Sequence, residues 1–192
     1  MVDDVGDVNQ LVRFVARVDV LLEHERDEHA LAFEVAEYLR EMLADGFVMP
    51  AEYTQPGEHG YVMHPLHIDA EGRFSVAAAV WDVGQVTPVH SHETWGVVGI
   101  YSGTEGETKY VKPTHDGVPL QVAEDGLRWG PGEVTVCCTT DDDIHRVECV
   151  GNEPCIGIHV YGADIGSLRR RSYDPSTGEV TWFTSVWEGT DP

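Results

Sequence analysis

The chain has 192 residues, with 34 acidic against 12 basic side chains and a formal net charge of -22. That length fits a single domain with a small appendage and suffices for a real hydrophobic core, and 42% hydrophobic residues argue against wholesale disorder. A surface this negative repels nucleic-acid phosphate and anionic lipid, so neither nucleic acid nor membrane is an expected partner.

No run approaches the roughly 18 apolar residues of a membrane helix. The acidic start Met1-Val2-Asp3-Asp4 is unlike a signal peptide, so the expectation is a cytoplasmic protein. The only lysines are Lys109 and Lys112, which suits either a salt-tolerant source or an ordinary acidic protein. The cysteines are Cys137, Cys138, Cys149 and Cys155, with no CxxC spacing. They read as reduced, mostly buried thiols. Strand alternation predicts that the adjacent Cys137 and Cys138 point to opposite faces.

The first stretch is helical. Val8, Leu11, Val12, Val15, Val18 and Leu22 recur at helical spacing. A second helix carries Leu31, Val35, Leu39, Met42 and Leu43 and stops at Gly46, a good C-terminal cap. Residues 1–48 are therefore expected to form a helical segment packed on a barrel made by residues 49–192.

From about residue 60 short β-rich runs alternate with turns. The expected strands are Tyr61 to Ile68, Phe74 to Trp81, Trp95 to Ser102, Glu107 to Lys112, Glu133 to Thr139, Ile144 to Val150, Cys155 to Tyr161 and Val180 to Trp187. The segments 69–72, 103–106, 129–132 and 174–178 are expected turns. Many short, evenly spaced strands without βαβ units mean a mainly β sandwich or barrel. The Asp141-Asp142-Asp143 run reads as a solvated loop.

Histidines carry the chemistry. His90 and His92 form His-x-His, and alternation on a strand would put both rings on one face. Two neutral imidazoles on one face make half a site for a borderline transition metal. Gly84 completes Gly-x5-His-x-His, the first half of the cupin signature, and implies a cupin double-stranded β-helix (a jelly-roll barrel) with two N-terminal α-helices. His145 lies on another short strand and can complete the site. The usual cupin glutamate is missing, since Gly96 and Val97 occupy its positions and Glu93 is expected to point away. The implied ligand set is His90, His92 and His145, all neutral. Further along, His159 and Tyr161 share a strand face, where a ring nitrogen can orient a phenol. A core Tyr with a structural His is the plain alternative.

The stretches Thr87 to Gly99, Ile144 to Val147 and Ile158 to Gly162 resemble the cysteine dioxygenase family of thiol dioxygenases. The bacterial branch that includes 3-mercaptopropionate dioxygenases is the most similar, over residues 60 to 187. The resemblance implies that iron(II) is held by His90, His92 and His145. It also implies that Tyr161 lies near the reacting oxygen and thiol, with His159 behind it. The family often has a Ser two positions before that His, where this chain has Gly157, so the relay is shortened. No Cys follows the His pair, so no cross-link to the Tyr is expected. Mammalian-type enzymes anchor substrate with an upstream Arg, which is absent here. The mercaptopropionate type brings one from beyond the His-x-Tyr strand. Within Arg169-Arg170-Arg171, Arg170 is the best match for clamping a carboxylate; a solvated turn is the alternative for such a run. His64 and Met63 are expected to line the pocket.

The resulting expectation is an iron(II)-dependent thiol dioxygenase that oxidises a small thiol with O2 to the sulfinate, as a monomer or homodimer. 3-Mercaptopropionate is the favoured substrate and cysteine the next, with cysteamine and mercaptosuccinate behind them. The alternatives are another metal-dependent cupin enzyme on a non-thiol substrate and a non-catalytic small-molecule-binding cupin.

Overall fold

The computed structural model describes residues 4–25 and 27–189. Val8's side chain lies outside that description. Helix α1 spans Asp4–His24 and α2 spans Glu28–Ala44. Asp27 caps α2 by accepting from Ala30 N at 2.9 Å. Gly46, at φ 78, ends it. On α1 the buried line runs through Phe14 and Val18, with Leu11, Val15, Leu21 and Leu22 beside it. Val12, expected in the apolar stripe, is instead 58% exposed. At about 100° per residue it falls on the flank of the line that 11, 14, 15 and 18 define.

Eleven strands follow among the described residues: β1 Val62–Ile68, β2 Ser75–Trp81, β3 Val89–His90, β4 Gly96–Ser102, β5 Thr104–Val111, β6 Gln121–Trp129, β7 Val134–Cys138, β8 His145–Val150, β9 Cys155–Tyr161, β10 Arg170–Tyr173 and β11 Val180–Phe183. They form two antiparallel sheets, ordered β1-β2-β9-β4-β7 and β11-β10-β3-β8-β5-β6. No helix is long and apolar enough to cross a membrane among the described residues.

The helices explain why β2 and β9 are buried along their whole length. Val76, Ala78 and Val80 of β2, with Ile156, Ile158 and Val160 of β9, pack with Val35 and Leu39 of α2. The alternate residues Ala77, Ala79, Trp81 and Tyr161 face a second cluster with Val98 and Ile100, inside the barrel. The five-stranded sheet is thus apolar on both faces, as a sheet covered on both sides must be. Close contact with α2 also requires a small residue on β4: a Cβ on Gly99 would stand 2.9 Å from Leu39 Cδ2. The six-stranded sheet has an exposed edge, and β6 is mostly solvent-facing.

Several strand expectations need correction. β6 carries Glu124, Asp125 and Arg128 and lacks apolar alternation, so its sequence gives no strand signal, yet it pairs with β5 from Gln121 to Trp129. β5 begins at Thr104 rather than after a four-residue turn. Gly103 alone turns the chain, at φ 72, and its close approach to the Pro154 carbonyl leaves no room for a side chain. β11 stops at Phe183; Trp187 packs separately, donating to Asp164 Oδ1 at 3.0 Å. Asp143 is only 4% exposed, so the aspartate run is not all solvated loop.

Cys137 and Cys138 also depart from expectation. The β4–β7 register pairs Gly96 with Cys138 and Val97 with Val136, which makes Cys137 the extra residue of a bulge. The bulge cancels the strand alternation. Both sulfurs lie on the same side, 3.5 Å apart. All four cysteines are buried and free.

Candidate metal centre

β3 is two residues long, but its position decides the site. It lies between β10 and β8, and His90 pairs directly with His145. The chain leaves the sheet after His90, and His92 is then held by Asp143. That carboxylate accepts from the backbone N–H groups of His92 and Glu93, each at 2.8 Å, and approaches His92 Nδ1 at 3.1 Å. The His90–His92, His90–His145 and His92–His145 ring centroids are all 4.8 Å apart.

Every ring in this triangle has its Nδ1 engaged from outside. His90 Nδ1 lies 3.0 Å from the Pro88 carbonyl, His92 Nδ1 lies beside Asp143, and His145 Nδ1 lies 2.7 Å from Glu107 Oε1. Because all three partners are acceptors, the ring hydrogens sit on Nδ1 and the Nε2 lone pairs are left for the centre. His145 Nε2 is buried without a hydrogen-bond partner, which fits a nitrogen aimed at a metal. Burial, with the neighbouring histidines second, holds His90 and His92 well below the ordinary histidine pKa. They are therefore neutral near pH 7, as metal binding requires. The three residues can supply ligand atoms that all lie within 4.8 Å of one another.

The carboxylates outside the ring behave differently. Burial pushes Asp143 up to about 6, against the hydrogen bonds from His92 and Glu93 N–H. Burial also raises Glu107, but its hydrogen bond and charge contact with His145, joined by Lys109 and the Trp129 N–H, together outweigh that and leave it lowered. Trp129 Nε1 donates to the other Glu107 oxygen at 3.2 Å.

Tyr161 stacks on His92, with ring centroids 5.3 Å apart, and its hydroxyl meets His159 Nδ1 at 2.9 Å. Burial raises this phenol well above its ordinary pKa, so it stays protonated. Arg170 opens onto the same pocket as the three histidines. It is 2% exposed, donates to Ser185 Oγ, lies over the Phe183 ring and keeps a buried Nε without a partner. Its neighbours in sequence face elsewhere. Arg169 is exposed over Trp182, and Arg171 clamps Glu93 through two hydrogen bonds of 2.6 and 3.0 Å.

Met63 lines the pocket with Tyr61 and Trp81. His64 does not. Alternation along β1 turns it outward, where it stacks on Tyr53 at 4.9 Å. Glu93 is kept from the centre as expected, but not by the pleat. It lies outside β3 with φ 59 and pairs with Arg171.

Asp143, Glu105 and Glu107 were not singled out from sequence, although each is buried at the site. For the two glutamates the available signal was the Glu105-Gly106-Glu107 spacing, two acids on one face of a strand. The buried Cys137 and Cys138 thiols also approach His92.

Two antiparallel sheets that close over an interior histidine triangle make this a double-stranded β-helix. The fold is the cupin fold. No family model matches the sequence. Similar solved structures include an uncharacterized conserved protein with a double-stranded β-helix domain from Klebsiella pneumoniae, 14% identical at TM-score 0.46, covering 74% of this chain and 93% of that one. A cupin superfamily protein from Desulfitobacterium hafniense is 12% identical at TM-score 0.42, covering 57% of this chain and 84% of that one. An oxalate oxidase in complex with the substrate analogue glycolate is 15% identical at TM-score 0.44, covering 60% of this chain and 59% of that one.

Proposed function

We propose that this protein is a non-haem iron(II)-dependent dioxygenase that oxidises a small carboxylate-bearing thiol, 3-mercaptopropionate by preference and cysteine next, to its sulfinate. The observation that carries the reading is a triangle of three buried histidines in one pocket with a buried arginine that has an unpartnered Nε. Three neutral ligands leave a divalent ion its full charge, which favours an anionic ligand such as a thiolate. A bound iron(II) would supply activation of dioxygen beside the substrate sulfur, so that both oxygen atoms would end on it.

The protein's own groups do the positioning. His90, His92 and His145 are the ligands, oriented by Pro88 O, Asp143 and Glu107. Arg170 takes the substrate carboxylate and thereby fixes where its sulfur lies; such orientation contributes several kcal/mol to lowering a barrier. Tyr161, backed by His159, offers a hydroxyl beside the reacting atoms. Tyr61, Met63 and Trp81 wall off water.

The test is oxygen uptake by iron(II)-loaded protein with 3-mercaptopropionate, cysteine and cysteamine side by side, with sulfinate read by mass spectrometry. The expected result is uptake matched by sulfinate, greatest for 3-mercaptopropionate. Iron-loaded protein that oxidises none of these thiols would overturn the proposal and turn attention to a non-thiol substrate.

A further inference from the structure

Behind Tyr161 and His159 stands a further buried polar side chain. Glu105, on the inner face of β5, is 3% exposed, and its Oε2 has no hydrogen-bond partner. It stands 3.7 Å from His159 Nε2, which is also buried without a partner. Nothing separates the two atoms, because the residue beside them is Gly157. A Cβ there would lie 2.6 Å from His159 Nε2 and 3.5 Å from Glu105 Oε2. Two buried polar atoms of complementary type thus face each other just beyond hydrogen-bond distance, a small side-chain adjustment away from a bond.

We infer that Glu105 is the positioning residue for His159 and, through it, sets the direction of the Tyr161 hydroxyl. The inference deepens the proposed function, since it rests on Tyr161 facing substrate. A carboxylate only accepts, so its partner Nε2 carries the ring hydrogen. In that tautomer Nδ1 is bare and accepts from the Tyr161 hydroxyl 2.9 Å away. With its hydrogen turned toward His159, Tyr161 presents lone pairs to the pocket and accepts from a donor there, such as a water. The opposite tautomer would turn Tyr161 into a donor toward the pocket. Glu105 selects between these two sites without touching substrate.

The experiment reads the tautomer directly. Protein with 15N-labelled histidine, metal-free and zinc-loaded, is examined by long-range 15N–1H correlation, with His159 assigned through H159Q. The wild type is expected to show a protonated Nε2 and an unprotonated Nδ1. E105Q, which keeps an acceptor oxygen, retains that pattern. In E105L the Nε2 signal moves toward the unprotonated range while the His90, His92 and His145 signals hold. A protonated Nδ1 in the wild type, or an unchanged His159 in E105L, overturns the inference. The wild-type spectrum decides even if E105L does not fold. Thiol oxidation is assayed in parallel. A wild type inert toward thiols would defeat the functional proposal and leave the tautomer result standing, whereas active protein with the wrong tautomer would defeat only the role of Glu105.

Discussion

Oε1 of Glu107 lies 2.7 Å from Nδ1 of His145, and both side chains are almost fully buried. This contact fixes the tautomer that leaves His145 Nε2 for a metal. Removing such an outer partner weakens metal affinity by roughly 10- to 100-fold. Glu107→Ala is therefore expected to weaken iron(II) or zinc(II) binding on that scale in a chelator competition, with the far-ultraviolet spectrum unchanged. Wild-type affinity in the variant would remove Glu107 from the site.

Arg170 predicts a selectivity that no general loss of stability reproduces. A charge-assisted hydrogen bond is worth about 1.5–3 kcal/mol. Arg170→Met should therefore raise KM for 3-mercaptopropionate by roughly 10- to 100-fold. Cysteamine has no carboxylate and should lose nothing. Equal losses for both thiols would show that Arg170 supports the pocket without binding substrate.

The parts of this site that were legible in sequence are those with a local pattern. His90 and His92 announce themselves by spacing, and His159 with Tyr161 by sharing a strand face. Arg170 was reached through the resemblance to the mercaptopropionate type, which brings an arginine from beyond the His-x-Tyr strand, and not from any pattern of its own. What escaped depends on contacts between distant segments. Asp143 binds the backbone of His92 across 51 positions of sequence, and nothing in an aspartate run tells which member turns inward. His64 was misplaced beside Met63 because adjacent strand residues face opposite ways, and only the pairing with β2 settles which of them faces inward. The fold was legible because the helices and most strands carry their own periodicity, whereas the charged β6 does not. The Cys137 bulge was hidden because a bulge is a property of two paired strands.

That bulge makes Gly96 a packing requirement. A Cβ at this position would stand 2.6 Å from Cys138 Sγ and 2.9 Å from Cys137 Sγ. Overpacking of this kind costs about 1–3 kcal/mol. Gly96→Ala is expected to lower the urea midpoint accordingly, and adding Cys138→Ala should recover part of the loss by removing the nearer sulfur. Equal stability of Gly96→Ala and wild type would mean that the two thiols move apart freely.

Asp69 supplies a pH-dependent contribution far from the metal centre. It closes the β1–β2 turn by accepting from the N–H groups of Glu71 and Arg73 at 3.0 and 3.1 Å and from the Arg73 guanidinium at 2.7 Å. Arg73 in turn reaches Asp19 on α1, tying the hairpin to the helix. The Arg73 hydrogen bonds, opposed by burial and helped by the backbone N–H groups, lower the Asp69 carboxyl from 3.8 to about 2. A depressed acid stabilises the fold in its ionised form. The contribution is complete above the unfolded value of 3.8 and is lost as pH falls through about 2. Because Arg73 is partly open to solvent, screening reduces it to about 0.2–1 kcal/mol. Asp69→Asn should therefore be less stable than wild type by that amount at pH 7 in urea denaturation, and the gap should shrink steadily from about pH 4 downward. A gap of constant size down to pH 2 would mean that the lost stability comes from packing and not from the charge.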